Sequence, residues 1–285
     1  LVVGLAGVLA AAPLSLLASF TGQPHAVGTT APTWTEVWSD SFNGSAGQLP
    51  SSTNWFHDVG YGWTAGEVET YTSTAANSSM DGAGHLRITP IRDKRGKWTS
   101  ARLESVRSDF APPAGGKVKI SARRQVPGGG QGYWPAFWAM GNTLRTGAQA
   151  WPANGELDLM ENVNNQAQTS GAFHCGTETG GPCDEPNGRY GLHPLPGPAS
   201  TTGFHVYSMI WDNAARTFTY QVDDVTYFIV GAAQVGDAAW NAATSHGYFL
   251  LLNVAIGGGW PGQPNKTTKS GQSMLIDYVQ VATSP

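Results

Sequence analysis

Short segments in which apolar and polar residues alternate recur along most of the chain, each bounded by glycine, proline, asparagine or aspartate. Clear examples are Trp34–Phe42, Gly84–Ile88 and Thr217–Asp223. Alternation with a period of two is typical of β-strands that bury one face. Many short strands separated by turn residues are typical of a sandwich or a barrel, so the pattern predicts an all-β domain.

One stretch has a pattern that plain alternation does not explain. In residues 156–161 (ELDLME) acidic and apolar side chains first alternate, which places Glu156 and Asp158 on one face of a strand. Continued alternation would bury Glu161, and burying an unpaired carboxylate is costly. One extra residue, a β-bulge near Leu159-Met160, returns Glu161 to the acidic face. The sequence therefore predicts three acids in a row on one face.

Acids this close together raise one another's pKa, so we expect at least one of them to keep its proton near neutral pH. A protonated acid beside an ionised one is what glycoside hydrolysis requires. A retaining enzyme needs two carboxyl groups roughly 5–5.5 Å apart, and we expect the bulge to bring Glu156 and Glu161 together with Asp158 between them. The other interpretation, a solvated polar face that binds calcium or nothing, stays open on this stretch alone.

The stretch resembles the signature of glycoside hydrolase family 16, and its acidic core is similar to that of the laminarinase branch, the endo-1,3-β-glucanases. Trp134–Trp138 before the acids, and Phe249–Gly262 and Ile276–Val281 after them, resemble the family in the same order. The resemblance runs from about Trp34 to the end of the chain. It implies a β-jelly-roll sandwich of two antiparallel sheets, with an open substrate cleft on the concave face.

The resemblance also implies roles for the acids: Glu156 as nucleophile, Glu161 as acid/base, and Asp158 orienting Glu156. Residues with an implied or candidate substrate contact are Asn77, Arg102 on the donor side of the cleft, Trp134, Trp138, Trp151, His174, Asn253 and Trp260.

Several of these residues have a second interpretation. Trp134 and Trp138 share one strand face, which is either the cleft face or the core face. Asn77 is alternatively a turn residue or a glycosylation acceptor, and His174 a structural hydrogen-bonding group. Gly66 and Glu69 stand where relatives usually have Asn and Gln, which puts the polar contacts at that end of the cleft in question.

A structural calcium ion is implied by the resemblance as well. Its ligands would be Asp277 on the last strand and the backbone carbonyls of Ser41 and Gly84, a set of oxygen ligands that suits calcium. Only Asp277 carries direct support, because backbone ligands leave no trace in a sequence. Catalysis itself requires no cofactor.

The first twenty residues are nearly all apolar and are followed by a polar segment, so they are interpreted as a secretory signal without its basic start. A transmembrane anchor is the alternative. We expect residues 1–32 to be a signal remnant and disordered lead, and residues 33–285 to be a single catalytic β-jelly-roll domain.

Cys175 and Cys183 are the two cysteines of the chain. In an oxidising compartment we expect them to form a disulfide that closes a glycine-rich loop. A zinc site with His174 and His193 is the alternative, but neither a Cys-x-x-Cys nor a His-x-x-x-His pair supports it.

The net charge is −4 and no basic run occurs, which argues against nucleic-acid binding. Eleven Trp residues suit a partner made of sugars, although core packing must account for many of them. The sequence predicts a secreted, extracellular, monomeric endo-1,3-β-glucanase that retains configuration, acts on β-glucan polysaccharide and has no membrane attachment after signal removal. The alternatives are a relative acting on mixed-linkage β-1,3-1,4-glucan or a galactan, and a non-catalytic β-glucan-binding protein.

Overall fold

The computed structural model describes residues 32–62 and 65–285. The predicted signal segment lies outside these residues. In the described residues no helix is long and apolar enough to cross a bilayer. The strands are β1 Thr35–Asp40, β2 Trp55–His57, β3 Glu69–Tyr71, β4 Ser78–Met80, β5 Leu86–Ile88, β6 Ile91–Arg92, β7 Trp98–Ser100, β8 Arg102–Ser105, β9 Lys117–Gln125, β10 Tyr133–Gly141, β11 Glu156–Glu161, β12 Gln168–His174, β13 Arg189–Pro194, β14 His205–Asp212, β15 Thr217–Val222, β16 Val225–Gly231, β17 Tyr248–Ile256 and β18 Met274–Ser284.

Short helices connect some of the strands: α1 Thr143–Thr146, α2 Ala232–Val235, α3 Asp237–Thr244 and a 3-10 turn at Ala199–Thr201. The strands of the described residues form two large antiparallel sheets. The outer sheet has the order β16-β15-β14-β9-β18-β5-β4, with β1 also paired to β18, and the cleft sheet has the order β13-β12-β11-β10-β17-β8-β2. A small third sheet contains β3, β7 and β6. The all-β prediction with two antiparallel sheets is confirmed.

The core lies between the two large sheets and follows from the alternation along their strands. Leu250, Leu252 and Val254 on β17 are fully buried, as are Met209 on β14 and Val281 on β18 on the facing sheet. Burial of each such side chain contributes about 1.5–3 kcal/mol to the stability of the fold. The face of the cleft sheet that carries these residues is therefore the core face, and the opposite face is available to other groups.

The opposite face of the cleft sheet carries a small apolar cluster of its own. Met140, Phe249 and Leu251 are buried there, with Trp138 and Trp151 packed against them. The connection between β10 and β11, which includes α1, supplies Trp151 and also Arg145, whose guanidinium lies 3.6 Å from the centre of the Phe249 ring. This connection therefore forms a wall over one end of the sheet.

Glu69 on β3 is fully buried, and its Oε2 accepts a hydrogen bond from the backbone N–H of Ile256 at 2.8 Å. It ties the small sheet to the end of β17. Burial raises the pKa of Glu69 to about 7. A Gln at this position would accept the same hydrogen bond without a charge.

We expect Glu69→Gln to stabilise the protein at alkaline pH. Between about pH 4.5 and 7 the folded state keeps a proton that the unfolded chain has lost, so wild-type stability falls as the pH rises through that window. The variant should gain up to about 3 kcal/mol at pH 8 and nothing at pH 4. Chemical denaturation at both pH values measures this, with Glu67→Gln as the control. An equal gain at both pH values would contradict the titration of Glu69.

Candidate active site

The predicted bulge is present in β11. Met160 pairs with Phe137 and Asp158 with Trp138, so the register on β10 skips Leu159. Leu159 and Met160 are both fully buried, which means that two consecutive residues point towards the core. Glu156, Asp158 and Glu161 consequently share the opposite face of the cleft sheet, as the sequence predicts.

A buried arginine supports the bulge from the core side. Nη2 of Arg124 on β9 donates to the carbonyl oxygen of Met160 at 3.3 Å, and the guanidinium lies 5.1 Å from the ring centres of both Phe137 and Tyr207. Its burial lowers the pKa of Arg124 to about 9. A carbonyl displaced by a bulge needs a new donor, and Arg124 provides it. No sequence signal points to this residue.

The residue immediately before β11 is a glycine that the packing requires. Gly155 has a φ of 76°, in the left-handed region, and a Cβ there would lie 2.3 Å from the hydroxyl oxygen of Tyr248. Only glycine satisfies both conditions. The chain therefore enters β11 with Glu156 already aimed at the cleft face.

An indole N–H holds each of the two glutamates. Nε1 of Trp151 donates to Oε2 of Glu156 at 2.9 Å, and Nε1 of Trp134 donates to Oε1 of Glu161 at 2.8 Å. Trp134 thus lies on the cleft face, which decides between the two interpretations of its strand. The structure gives both indoles a polar contact to an acid in addition to the ring surface that the sequence suggests.

Both glutamates favour their protonated form. Burial, and next the charge of Asp158, raise the pKa of Glu156 to about 8, whereas His174 and the hydrogen bond from Trp151 lower it. Burial and the charge of Asp158 also raise the pKa of Glu161 well above its usual range. At neutral pH this row of acids therefore holds protons that can be transferred.

His174 on β12 joins Asp158 to a second carboxylate. Its Nε2 lies 3.1 Å from Oδ2 of Asp158, and its Nδ1 lies 2.7 Å from Oε2 of Glu185. Burial alone lowers the pKa of His174, but the two carboxylates raise it to about 12. His174 is therefore an imidazolium cation placed directly opposite Glu156 in the strand register.

Glu185 is the functional candidate that sequence reasoning missed. It is buried, and its Oε1 accepts a hydrogen bond from the backbone N–H of Cys175 at 2.9 Å. Cys175 and Cys183 form the predicted disulfide. That link removes the zinc alternative and closes the loop that leads to Glu185. Its signal in the sequence, an acid two residues after Cys183, is weak.

The side of the row towards β10, β17 and β8 carries most of the other predicted residues. The guanidinium of Arg102 lies 4.8 Å from the ring centre of Trp138, and Nε1 of Trp138 donates to Oδ1 of Asn253 at 2.8 Å. Nδ2 of Asn253 donates to the hydroxyl of Tyr71 at 3.0 Å. These contacts fix a stacked ring and hydrogen-bonding groups beside the acids.

Trp260 stands on the Glu161 side. It is 49% exposed, and its ring meets that of Trp134 edge-on, with 5.6 Å between the ring centres. A pocket beside Glu161 includes Gln168, Ser170, Leu192 and Trp260 in its lining.

Asn77 does not join this group. It is only 2% exposed, and its Nδ2 donates to the carbonyl oxygen of Thr89 and to Oγ1 of Thr99. Its backbone N–H bonds to Thr74. The turn interpretation therefore describes its place in the structure, and a buried amide leaves no room for a sugar or a glycan.

Among the described residues, one cluster has the composition of a metal site. Ligand atoms of Glu156, Asp158 and His174 lie within 4.8 Å of one another. Both nitrogens of His174 face carboxylate oxygens, and these carboxylates favour the doubly protonated ring, which has no lone pair for a metal. These three residues fit a charge-balanced acid cluster better than a metal centre.

Paired, protonatable glutamates in a cleft lined by aromatic rings define the active site of a glycoside hydrolase. A model of an XgeA-like, catalytic GH16 domain matches residues 64–187. A β-glucanase of Rhodothermus marinus is 33% identical over 266 residues, which cover 88% of this chain and 86% of the relative. The chain belongs to glycoside hydrolase family 16, and its two sheets are the jelly-roll of that family.

Two further relatives bear on specificity. The crystal structure of an endo-1,3-β-glucanase from Streptomyces sioyaensis superimposes with a TM-score of 0.85 at 45% identity, covering 90% of this chain and all of that one. A keratan-sulfate endo-1,4-β-galactosidase of Sphingobacterium multivorum is 31% identical over 256 residues, which cover 87% of this chain and 55% of the relative.

We expect Glu185→Gln to lower the pKa of His174, because one of the two carboxylates that hold its proton is removed. The stability that this proton supplies is fully present below about pH 6.5 and is lost as the pH rises towards 12. The variant should therefore be destabilised by about 3 kcal/mol at pH 6, with a smaller deficit at pH 10. Imidazole NMR titration and unfolding at both pH values measure these effects.

The neighbouring exposed Asp184→Asn is the matched control, since it changes the same charge in the same loop. An unchanged His174 titration in Glu185→Gln would show that the two groups are not coupled.

Proposed function

We propose that this protein is an endo-acting hydrolase that cleaves β-1,3-glucan, such as laminarin, with retention of configuration. The observation that carries the proposal is the bulged row of acids, with Glu156 and Glu161 on one face and each held by an indole N–H. The similarity to the endo-1,3-β-glucanase of Streptomyces sioyaensis supports the choice of linkage.

In the first step Glu156 attacks the anomeric carbon while Glu161 gives its proton to the glycosidic oxygen. The carbon–oxygen bond to the leaving sugar breaks, and a glycosyl ester on Glu156 forms. Two positive charges favour the ionised form of Glu156: the imidazolium of His174 opposite it, and Arg102. His174 also favours the ionised form of Glu161, but it lies opposite Glu156 in the register, and this position together with Arg102 supports the choice of Glu156 as nucleophile.

In the second step Glu161, now ionised, takes a proton from water, and the resulting hydroxide attacks the same carbon. The ester bond breaks, Glu156 is released as a carboxylate and Glu161 regains its proton. Asp158 lies between the two and contacts His174, so it orients Glu156 and keeps the cation in place. No cofactor takes part in either step.

Product analysis on laminarin, lichenan, agarose and carrageenan tests the substrate and the stereochemistry together. We expect release of reducing ends from laminarin, with NMR showing the β-anomer as the first product. Activity on agarose alone would contradict the proposal and favour a galactan hydrolase. The similarity to a galactosidase makes this the first alternative. Cleavage of lichenan in preference to laminarin would favour a mixed-linkage enzyme.

Glu156→Gln and Glu161→Gln separate catalysis from binding. Each variant should lose at least about 10²–10⁴ in kcat while keeping its affinity for glucan, because the amide removes the charge or the proton but little of the shape. Kinetics with reducing-end detection and affinity electrophoresis measure the two properties. A fully active Glu161→Gln variant would contradict its role, and glucan binding without any wild-type cleavage would favour a recognition protein.

Export to the cell exterior is part of the same proposal. The apolar first twenty residues and the disulfide between Cys175 and Cys183 support it, since disulfides persist in oxidising compartments. We further propose that the protein acts as a monomer on its polysaccharide.

A structural calcium ion remains a proposal. The pairings of Asp40 with Val279 and of Leu86 with Ile276 bring the segments of Ser41 and Gly84 to either side of Asp277. Oδ2 of Asp277 is already paired with Nη1 of Arg123, so the site fits calcium only in part. We expect metal analysis after chelator-free purification to find one calcium ion, and Asp277→Asn to remove it. Absence of calcium from the wild type would remove the proposal.

A further inference from the structure

Two apolar side chains stand exposed on the edge strand β13. Tyr190 is 56% exposed and Leu192 is 47% exposed. Single exposed apolar residues are ordinary, but two neighbours on one face of an unpaired edge invite association with other chains. The presence of both side chains at this edge therefore points to a role in the function of the cleft sheet.

The strand register places both residues on the face of the acids. Asp158 pairs with Ala172, which pairs with Tyr190, and Glu161 pairs with Ser170, which pairs with Leu192. Directly opposed residues of antiparallel strands point to the same side of the sheet. Tyr190 and Leu192 therefore continue the two rows of the active site outwards.

The other face of β13 is closed by the outer sheet. A Cβ on Gly191 would lie 2.5 Å from Cβ of Phe228, and the ring of His193 lies 5.4 Å from that of Tyr227. The alternate residues of β13 thus pack inwards. Tyr190 and Leu192 have no place in that core and face the cleft.

The floor between the acids and this edge is formed by short, buried side chains. It consists of Ser170 and Ala172, two small residues. With about 4.8 Å between neighbouring strands, Tyr190 lies roughly 10 Å across the sheet from Asp158. Leu192 lines the same pocket as Glu161 and Trp260. A sugar chain that crosses β11 at the acids would next meet these side chains.

The two sides of β11 differ in chemistry. The side of β10, β17 and β8 offers Arg102, Asn253 and the fixed ring of Trp138. Such hydrogen-bonding groups suit the sugar that is distorted and attacked, whose hydroxyl contacts strengthen in the transition state. The β13 side offers mainly apolar surface, which suits the departing part of the chain because it must be both held and released.

We propose that Tyr190 and Leu192 bind the leaving-group portion of the glucan, with the ring of Tyr190 stacked on a sugar face beyond the cleaved bond. This inference rests on the proposed function and adds to it a second binding site on the polymer. The ligand is an uncharged β-linked glucose chain, recognised by its apolar ring faces rather than by its hydroxyl groups.

The test compares two substrates for Tyr190→Ala. Long β-1,3-gluco-oligosaccharides have sugars on both sides of the cleaved bond, whereas an aryl β-laminaribioside has only an aryl leaving group. We expect kcat/KM to fall about two- to tenfold on the long oligosaccharides and to stay unchanged on the aryl glycoside. Tyr190→Phe, which keeps the ring, should behave as wild type.

A matched control is Ile229→Ala on β16. Ile229 is 53% exposed at the same edge of the sandwich, but it pairs with Thr219 on the outer face. Its loss should change neither rate. Transfer of the glycosyl group from the aryl donor to an added oligosaccharide gives a second readout, which Tyr190→Ala should reduce relative to hydrolysis.

Equal rates of Tyr190→Ala and wild type on long oligosaccharides would overturn the inference, as would an equal fall on both substrates. A fall confined to substrates extended on the other side of the bond would place Tyr190 at the donor end and likewise contradict it. Failure of the wild type to cleave any β-1,3-glucan would instead sink the proposed function. In that case the same variants are compared on oligosaccharides of the polymer, among lichenan, agarose and carrageenan, that the wild type does cleave.

Discussion

The extra residue in β11 is the constraint on which the site depends. A regular strand would place Glu161 in the core, where an unpaired carboxylate is costly, and would separate it from Glu156. The bulge turns it back, and the carbonyl that the bulge displaces is bonded by Arg124 from the opposite sheet. The distortion that creates the active face is thus stabilised by a residue buried in the core. The geometry of the site therefore depends on the packing of the sandwich.

The second constraint is electrostatic. Three acids on one strand repel one another, and burial adds to the cost of ionising them. On the cleft face the structure offsets this with the buried cation His174, which pairs with Asp158 and, on its other nitrogen, with Glu185 just after the disulfide. The imidazolium of His174 favours the ionised form of both glutamates, and Arg102 adds to this effect at Glu156, the acid that must ionise.

The chemical groups on the exposed face of the cleft sheet also differ from strand to strand. Towards β8 the exposed face offers a guanidinium, an amide and a fixed indole, and towards β13 it offers small residues and then apolar side chains. A polymer that crosses the sheet experiences both in turn. Such an arrangement depends on strand order rather than on sequence order, because β8, β17, β10, β11 and β13 are neighbours or near neighbours in space only after folding.

The sequence by itself determined the β-class of the domain, the bulge and the shared face of Glu156, Asp158 and Glu161. These features follow from local alternation and from the cost of burying charge, which operate within a single strand. The disulfide was also predictable, since the chain has two cysteines and these lie eight residues apart.

Only the tertiary structure decided the rest. It turned Asn77 inwards, gave Trp134 and Trp151 their acid partners, and brought Glu185, Arg124 and Tyr190 to the site from strands and loops distant in sequence. These outcomes depend on which strands pair, in which register, and across which core. An alternating pattern predicts which face of a strand a side chain occupies. The neighbouring strand and the opposing sheet determine which residues that side chain contacts.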